Sequence, residues 1–193
     1  MRAVLLLVPV LALGACSDIS TIHYSYYNSG YSPSHVQLAA ASGPLLAVIR
    51  DNPFPADHNN EGVLAAMQGR NFGPRMYFTQ TPRPDDKYGY KVVMNFGPGP
   101  STSEGYAPST SGGYNACTYG PTPPVSERRP GPISVSAAFC VGNILLTDAS
   151  GSIGEATGPD DPRFRRLIGD IMVALTPPYE PSRGGHDCRG RDC

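Results

Sequence analysis

The chain has 193 residues, with 15 Lys and Arg against 16 Asp and Glu, and only 16% of it is charged. No basic face or charge run marks a nucleic-acid partner. Its 22 glycines and 21 prolines stop just short of the ~25–30% that marks a low-complexity chain, so one modest folded core with long irregular segments is expected.

Met1-Arg2 supplies a positive start, and Ala3 to Leu13 is an almost unbroken apolar run containing Pro9. The run is too short to cross a bilayer, which takes ~20 residues, and it has the length of a signal-peptide core. Leu13-Gly14-Ala15-Cys16 follows and resembles the lipobox of bacterial lipoproteins. The resemblance covers residues 1–16. It implies a signal peptide at 1–15, cleavage before Cys16, and a diacylglycerol thioether with a further N-acyl chain such as palmitate on that cysteine. The alternative is a plain secretory leader cut after Ala15, with Cys16 incidental. Several acyl chains matter physically, because each buried CH₂ contributes ~0.8 kcal/mol and one chain alone holds only marginally. Ser17, in place of an Asp, implies by the same resemblance an outer-membrane lipoprotein facing the periplasm, with the inner membrane as the alternative.

Residues 16–43 carry Tyr24, Tyr26, Tyr27 and Tyr31 among Ser, Asn and Gly without helical spacing, and are expected to form a flexible tether. A single domain is expected over 44–178. Leu45 to Ile49 is continuously apolar, as in a central strand buried on both faces, and Asn52-Pro53-Phe54-Pro55 ends it. Asp57 to Gln68 reads as a helix: Asp57, Asn59 or Asn60 can cap it, Val63, Leu64 and Met67 form its stripe, and Gly69 follows its end. Arg75 to Gln80 and Tyr88 to Phe96 read as strands. The turn-forming Thr81 to Asp86 stretch between them predicts an antiparallel hairpin.

Positions 97–131 form a long loop without periodicity, unusual inside a compact domain. Beyond it Ile133, Val135, Ala137, Phe139 and Val141 alternate with Ser134, Ser136, Ala138 and Cys140. The large side predicts a core face. The small side predicts a face over which the loop lies, pinned through Cys117. A short edge strand over Asn143 to Thr147 and a Gly-rich connection over Ala149 to Pro159 are expected next. The strongest helix follows: Asp160 or Asp161 as cap, Pro162 at the first helical position, and Phe164, Leu167, Ile168, Ile171, Met172 and Leu175 on one stripe. Residues 179–193 are expected to be a mobile tail. The class is α+β, a mostly antiparallel sheet of four to five strands with two helices packed on one face.

With Cys16 assigned to lipid, Cys117, Cys140, Cys188 and Cys193 remain, an even set that suggests disulfides in an oxidising compartment. Three pairings are open, and Cys117–Cys140 with Cys188–Cys193 is favoured. The first closes a loop of about two dozen residues, worth roughly 3 kcal/mol.

Chemistry is sparse. His23 and His35 fall in the tether region and His186 in the tail, and His58 sits at a helix start. Asp57, Asp85-Asp86 and Asp160-Asp161 read as caps and turns. No nucleophile motif or phosphate loop is present, and Gly97-Pro98-Gly99-Pro100 lacks the amide donors that a phosphate cradle needs. No catalytic residue, metal or cofactor is assigned. The set Asn52-Pro53-Phe54-Pro55, Ala138-Phe139-Cys140 and Asp160-Asp161-Pro162-Arg163-Phe164 is similar to that of uncharacterised proteobacterial envelope lipoproteins, and this similarity implies no activity. The expectation is a non-catalytic interaction or assembly component whose partners are the membrane, through its anchor, and an envelope protein complex. The alternatives are a small-ligand or glycan module using Tyr106, Tyr114 and Tyr119, and a metal site in the tail from His186, Cys188 and Cys193 with Asp187 or Asp192.

Overall fold

The computed structural model describes residues 20–85, 87–98, 116–127 and 131–179. The leader, Cys16, Asp86, Tyr106, Tyr114, His186, Cys188 and Cys193 lie outside these residues, as does most of the tail. The elements in order are β1 (Thr21–Tyr27), α1 (Pro33–Ala41), β2 (Leu45–Arg50), α2 (Glu61–Met67), β3 (Phe78–Thr79), β4 (Tyr90–Pro98), β5 (Ile133–Val141), β6 (Ile144–Ile153) and α3 (Pro162–Leu175). Among the described residues the strands form one sheet in the order β1-β6-β5-β4-β2-β3. The α+β class holds. The finer expectation differs in detail: among the described residues the sheet has six strands rather than four or five, three of its five pairings are antiparallel and two parallel, and three helices rather than two cover one face.

The core forms where the alternation along the strands points. Tyr90, Val92, Met94 and Phe96 of β4 and Ile133, Val135, Ala137 and Phe139 of β5 face the helices. All six residues of the α3 stripe are fully buried there. Phe164 is its centre, edge-on to Phe54 at 4.9 Å and stacked on Phe96 at 5.9 Å. Each such side chain contributes about 1.5–3 kcal/mol by leaving water. The Asp161 carboxylate caps α3 by accepting from the Arg163 amide and guanidinium and from the Thr157 amide. The hydrogen bonds from Arg163 hold that carboxyl well below the usual carboxylate range, against the opposing effect of burial.

The tether expectation is overturned in its larger part. Thr21–Tyr27 pairs antiparallel with β6, and Pro33–Ala41 is a helix whose Ser32 hydroxyl accepts from the Ser34 amide. β1 is an edge strand with little buried surface, so no apolar alternation betrays it. α1 buries only Val36 and Ala39, too narrow a stripe to read as periodic. Tyr31 is only 2% exposed, and its hydroxyl donates to the Pro177 carbonyl at 2.7 Å. It joins the start of the domain to the end of α3, and burial raises its pKa well above the usual tyrosine value.

The hairpin expectation is also corrected. β3 is two residues long and runs parallel to β2, and β2 lies between β3 and β4, parallel to both. The α2 crossover carries the chain away from β2, as a parallel connection requires. Met76 and Phe78 still face the core. α2 begins at Glu61 rather than Asp57, with Asn60 at its N-cap position, and the Asp57 carboxylate supplies the capping bonds by accepting from the Gly62 and Val63 amides at 3.0 and 3.3 Å. Gly62 is no defect, because a Cβ there would stand 2.4 Å from the Pro159 ring.

The first part of the expected Gly-rich connection, Ala149 to Ile153, is instead the second half of β6. This strand is paired on both sides by β5 and β1, which gives its polar Asp148-to-Ser152 stretch strand partners that the local sequence does not announce. At Gly151 a Cβ would meet the Thr21 carbonyl oxygen at 2.8 Å, so only glycine lets β1 approach.

Two measurements check this arrangement. Tyr31→Phe removes the bond to Pro177 and should lower unfolding stability by about 1 kcal/mol in urea titrations; a flexible segment at Tyr31 would give no change. Asp161→Asn should destabilise by about 1 kcal/mol at pH 7. Because the folded Asp161 pKa is depressed, the carboxylate's contribution is complete above the ordinary aspartate value of about 3.9 and fades as pH falls through the lower folded value. The gap between wild type and variant should therefore shrink in titrations carried into strong acid.

Candidate functional site

The sheet face opposite the helices is the one with small residues. Leu46, Val48, Val93, Ala138 and Cys140 form a second, smaller apolar cluster with Ala116, Cys117 and Tyr119. The 116–127 segment lies over it as a strap, as the small side of β5 implied. Cys117 and Cys140 are joined by a disulfide and are fully buried. Further along, the Thr122 amide donates to the Ile49 carbonyl and the Val125 amide to the Asn52 carbonyl. The Asp51 amide donates to Thr122 Oγ1 at 2.7 Å, and that hydroxyl donates to Asp51 Oδ1 at 3.1 Å. The Arg50 guanidinium lies 4.4 Å from the Tyr119 ring centre, so of the three tyrosines proposed to meet a glycan, the described one is already packed against an arginine.

A polar belt follows β2. Asn52 is fully buried. Its amide donates to the Asp57 carbonyl and carboxylate and to Asn60 Oδ1, while its Oδ1 accepts from the Phe54 amide. Asn60 in turn donates to Gln80 Oε1, and Gln80 donates to the Asn59 carbonyl. Asp51 and Asn60 hold left-handed φ values of 53° and 55°, so the belt fixes a strained loop. Asp57 is consumed as a helix cap. His58 is exposed beside it, and among the described residues nothing bonds its ring. The geometry is that of a structural brace and sets up no nucleophile with a base. Asp85 is exposed and paired with Arg83, whose hydrogen bond holds its carboxyl below the usual range. Asp160 is exposed with its carboxylate 3.6 Å from Arg165, and Asp161 is the α3 cap.

Sequence reasoning missed the pairing of His35 with Tyr90. His35, assigned to the tether, lies on α1 with Nδ1 2.8 Å from the Tyr90 hydroxyl and Nε2 3.1 Å from the Gly30 carbonyl. A carbonyl only accepts, so Nε2 carries the proton and Nδ1 accepts from Tyr90. Burial, with Tyr88 beside it, raises the Tyr90 pKa, so this hydroxyl remains a donor. The pair clamps α1 to β4. The legible signal was Ser32-Pro33, a cap followed by a proline at the first helical position.

The outer face of α3 carries a concavity of about 510 Å³, lined by Arg70, Arg165, Arg166, Asp160, Asp170 and Val173, with Gly169 also on its wall. Ser20 donates to Asp170 Oδ2, so the chain enters the domain at this face. A smaller hollow of about 140 Å³ lies among Val36, Phe72, Pro74, Pro177 and Pro178.

Among the described residues no three His, Cys, Asp or Glu side chains are placed to hold a metal ion, and no helix is long and apolar enough to cross a membrane. No family model, curated protein or solved structure matches the chain.

The strap should depend on its covalent pin. Replacing Cys117 and Cys140 together by Ala should cost roughly 3 kcal/mol in denaturant titrations, and the loss should match that produced by reducing the wild-type protein with a strong thiol.

Proposed function

We propose that this protein is a lipid-anchored component of the bacterial envelope, held through Cys16 and acting by binding other envelope proteins rather than by catalysis. The observation that carries the reading is the buried Cys117–Cys140 disulfide. Such a bond persists in exported proteins and is rare in the cytosol, so it calls for an export signal, and the apolar run ending in Leu13-Gly14-Ala15-Cys16 is one. The outer membrane, facing the periplasm, is the compartment that Ser17 favours.

The described polar groups support interaction over chemistry. Asp57 and Asp161 are bound as helix caps, Asn52 braces a loop, and His35 is engaged on both ring nitrogens. A general base must instead reach a substrate proton. Surface for a partner is present: among the described residues β1 is a sheet edge of seven residues with Ile22 and Tyr26 exposed on it, and an open edge can accept another strand.

Mass spectrometry of the mature N-terminus from a bacterial envelope fraction tests the reading. The expected species begins at Cys16 and carries diacylglycerol with a further acyl chain. A mature chain with an unmodified cysteine there would sink the anchor.

A further inference from the structure

The chain enters the fold far earlier than a long tether would allow, and this biases which face meets the bilayer. Ser20 is fixed to α3 through Asp170, and β1 begins at Thr21. Three residues lie between Cys16 and Ser20, and the four chain steps reach at most about 14 Å even when fully extended. A unit of this size has a radius of gyration of about 14 Å. An anchor at Cys16 therefore keeps the face beside Ser20 nearer the membrane than the helix-free face with its strap.

That face carries cations in a concave setting. Arg70, three residues beyond α2, and Arg165 and Arg166 from α3 line it, with Gly169 on the same wall. Arg165 and Arg166 keep 45% and 71% of their side chains exposed. The anions present are Asp160, 3.6 Å from Arg165, and Asp170, 4.0 Å from Arg166 and also bound by Ser20. Three guanidinium groups thus stand against two carboxylates. Val173, 49% exposed on the same wall, adds an apolar contact.

We infer that the concave outer face of α3, with Arg70, Arg165 and Arg166, is the surface on which the domain rests against anionic phospholipid headgroups of the bilayer that holds its Cys16 anchor. The inference rests on the anchor proposed above. Guanidinium groups suit phosphate because their planar donor fork matches two of its oxygens. A net excess of one positive charge among the lining residues, set against Asp18 on the short tether, is a weak attraction for a free protein. It suffices for an anchored one, because a short tether turns docking into an intramolecular event at high effective concentration. The anchor holds the protein on the membrane, and the arginines set which way it faces.

The chain has no tryptophan, which gives a clean probe. The full chain carrying Val173→Trp is held by its own acyl groups in vesicles containing lipids brominated on the acyl chain. The vesicles are either neutral phosphatidylcholine or contain about one-third phosphatidylglycerol. Quenching at position 173 should be about fivefold stronger in the anionic vesicles. It should return to the neutral level when Arg70, Arg165 and Arg166 are all changed to Gln, and should be kept when they are changed to Lys. Tyr119→Trp, on the strap, should stay unquenched in both. Equal quenching at 173 in the two lipids, or stronger quenching at 119 than at 173, overturns the docking surface even if mass spectrometry finds Cys16 acylated. If Cys16 proves unmodified, flotation of the unanchored chain decides separately. Association with anionic vesicles that is lost in the Gln variant retains the surface without the anchor, and no association removes both.

Discussion

The alternation along β5 is the constraint on which the rest of the structure depends. One side of this strand is large and apolar and the other is small, and β5 pairs for nine residues each with β4 and β6. Phe139 stacks on Tyr90 at 5.8 Å, extending the aromatic layer to the His35 contact. A slip of one residue would turn every one of these side chains to the wrong face. The register is pinned because both faces are committed, one to three helices and the other to the strap. The disulfide leaves from Cys140 on the small face, where Val48, Val93 and Ala138 leave space for a backbone to lie close. Burial on two sides is how a chain with so much glycine and proline assembles enough core.

The N-terminal segment completes the sheet rather than trailing from it. β1 covers β6, and α1 covers the β4 side of the sheet through His35 and Tyr90. Tyr31 then reaches across to the carbonyl at the end of α3. Each contact joins residues separated by at least fifty positions, and the closest approach, at Gly151, is possible only without a side chain. The early chain is therefore held by long-range bonds that need the C-terminal helix in place. Ordering it costs about 1–2 kcal/mol per residue in backbone entropy, and the buried tyrosine with the β1–β6 ladder offsets that cost.

Elements with strong periodic faces were legible in the sequence, and those whose stabilisation comes from distant partners were not. The six-residue stripe of α3, the Tyr90-to-Phe96 alternation and the two-sided pattern of β5 each state their burial locally, and the Cys117–Cys140 pairing follows from the small face of β5. β1 and the second half of β6 support each other, and neither looks like a strand alone: Asp148, Ser150 and Ser152 are poor strand formers by composition. β3 was mispaired because a Pro/Asp turn between two apolar runs looks the same whether the chain turns back beside its neighbour or passes over an intervening strand. Of the polar candidates, Asp57 and Asp161 were read correctly as caps. His35 was misplaced together with the segment that carries it.

The disposition of cations adds a final point about the surface. Several described arginines are held within the domain's own contacts. Arg163 is bound to the α3 cap, Arg83 binds Asp85 and the Ser42 carbonyl, and Arg50 lies against Tyr119. Three of the described guanidinium groups are thus committed to caps and loops, while Arg75 and Lys87 stay exposed at other places. Arg70, Arg165 and Arg166 converge on one concavity although Arg70 and the α3 pair are some ninety-five residues apart, because the α2–α3 packing brings the turn after one helix beside the other. Burial of the apolar side of α3 turns its arginines outward, and the Ser20–Asp170 contact brings the chain entry to the same place. The same packing that makes the core thus concentrates the exposed charge where the N-terminal segment leaves the fold.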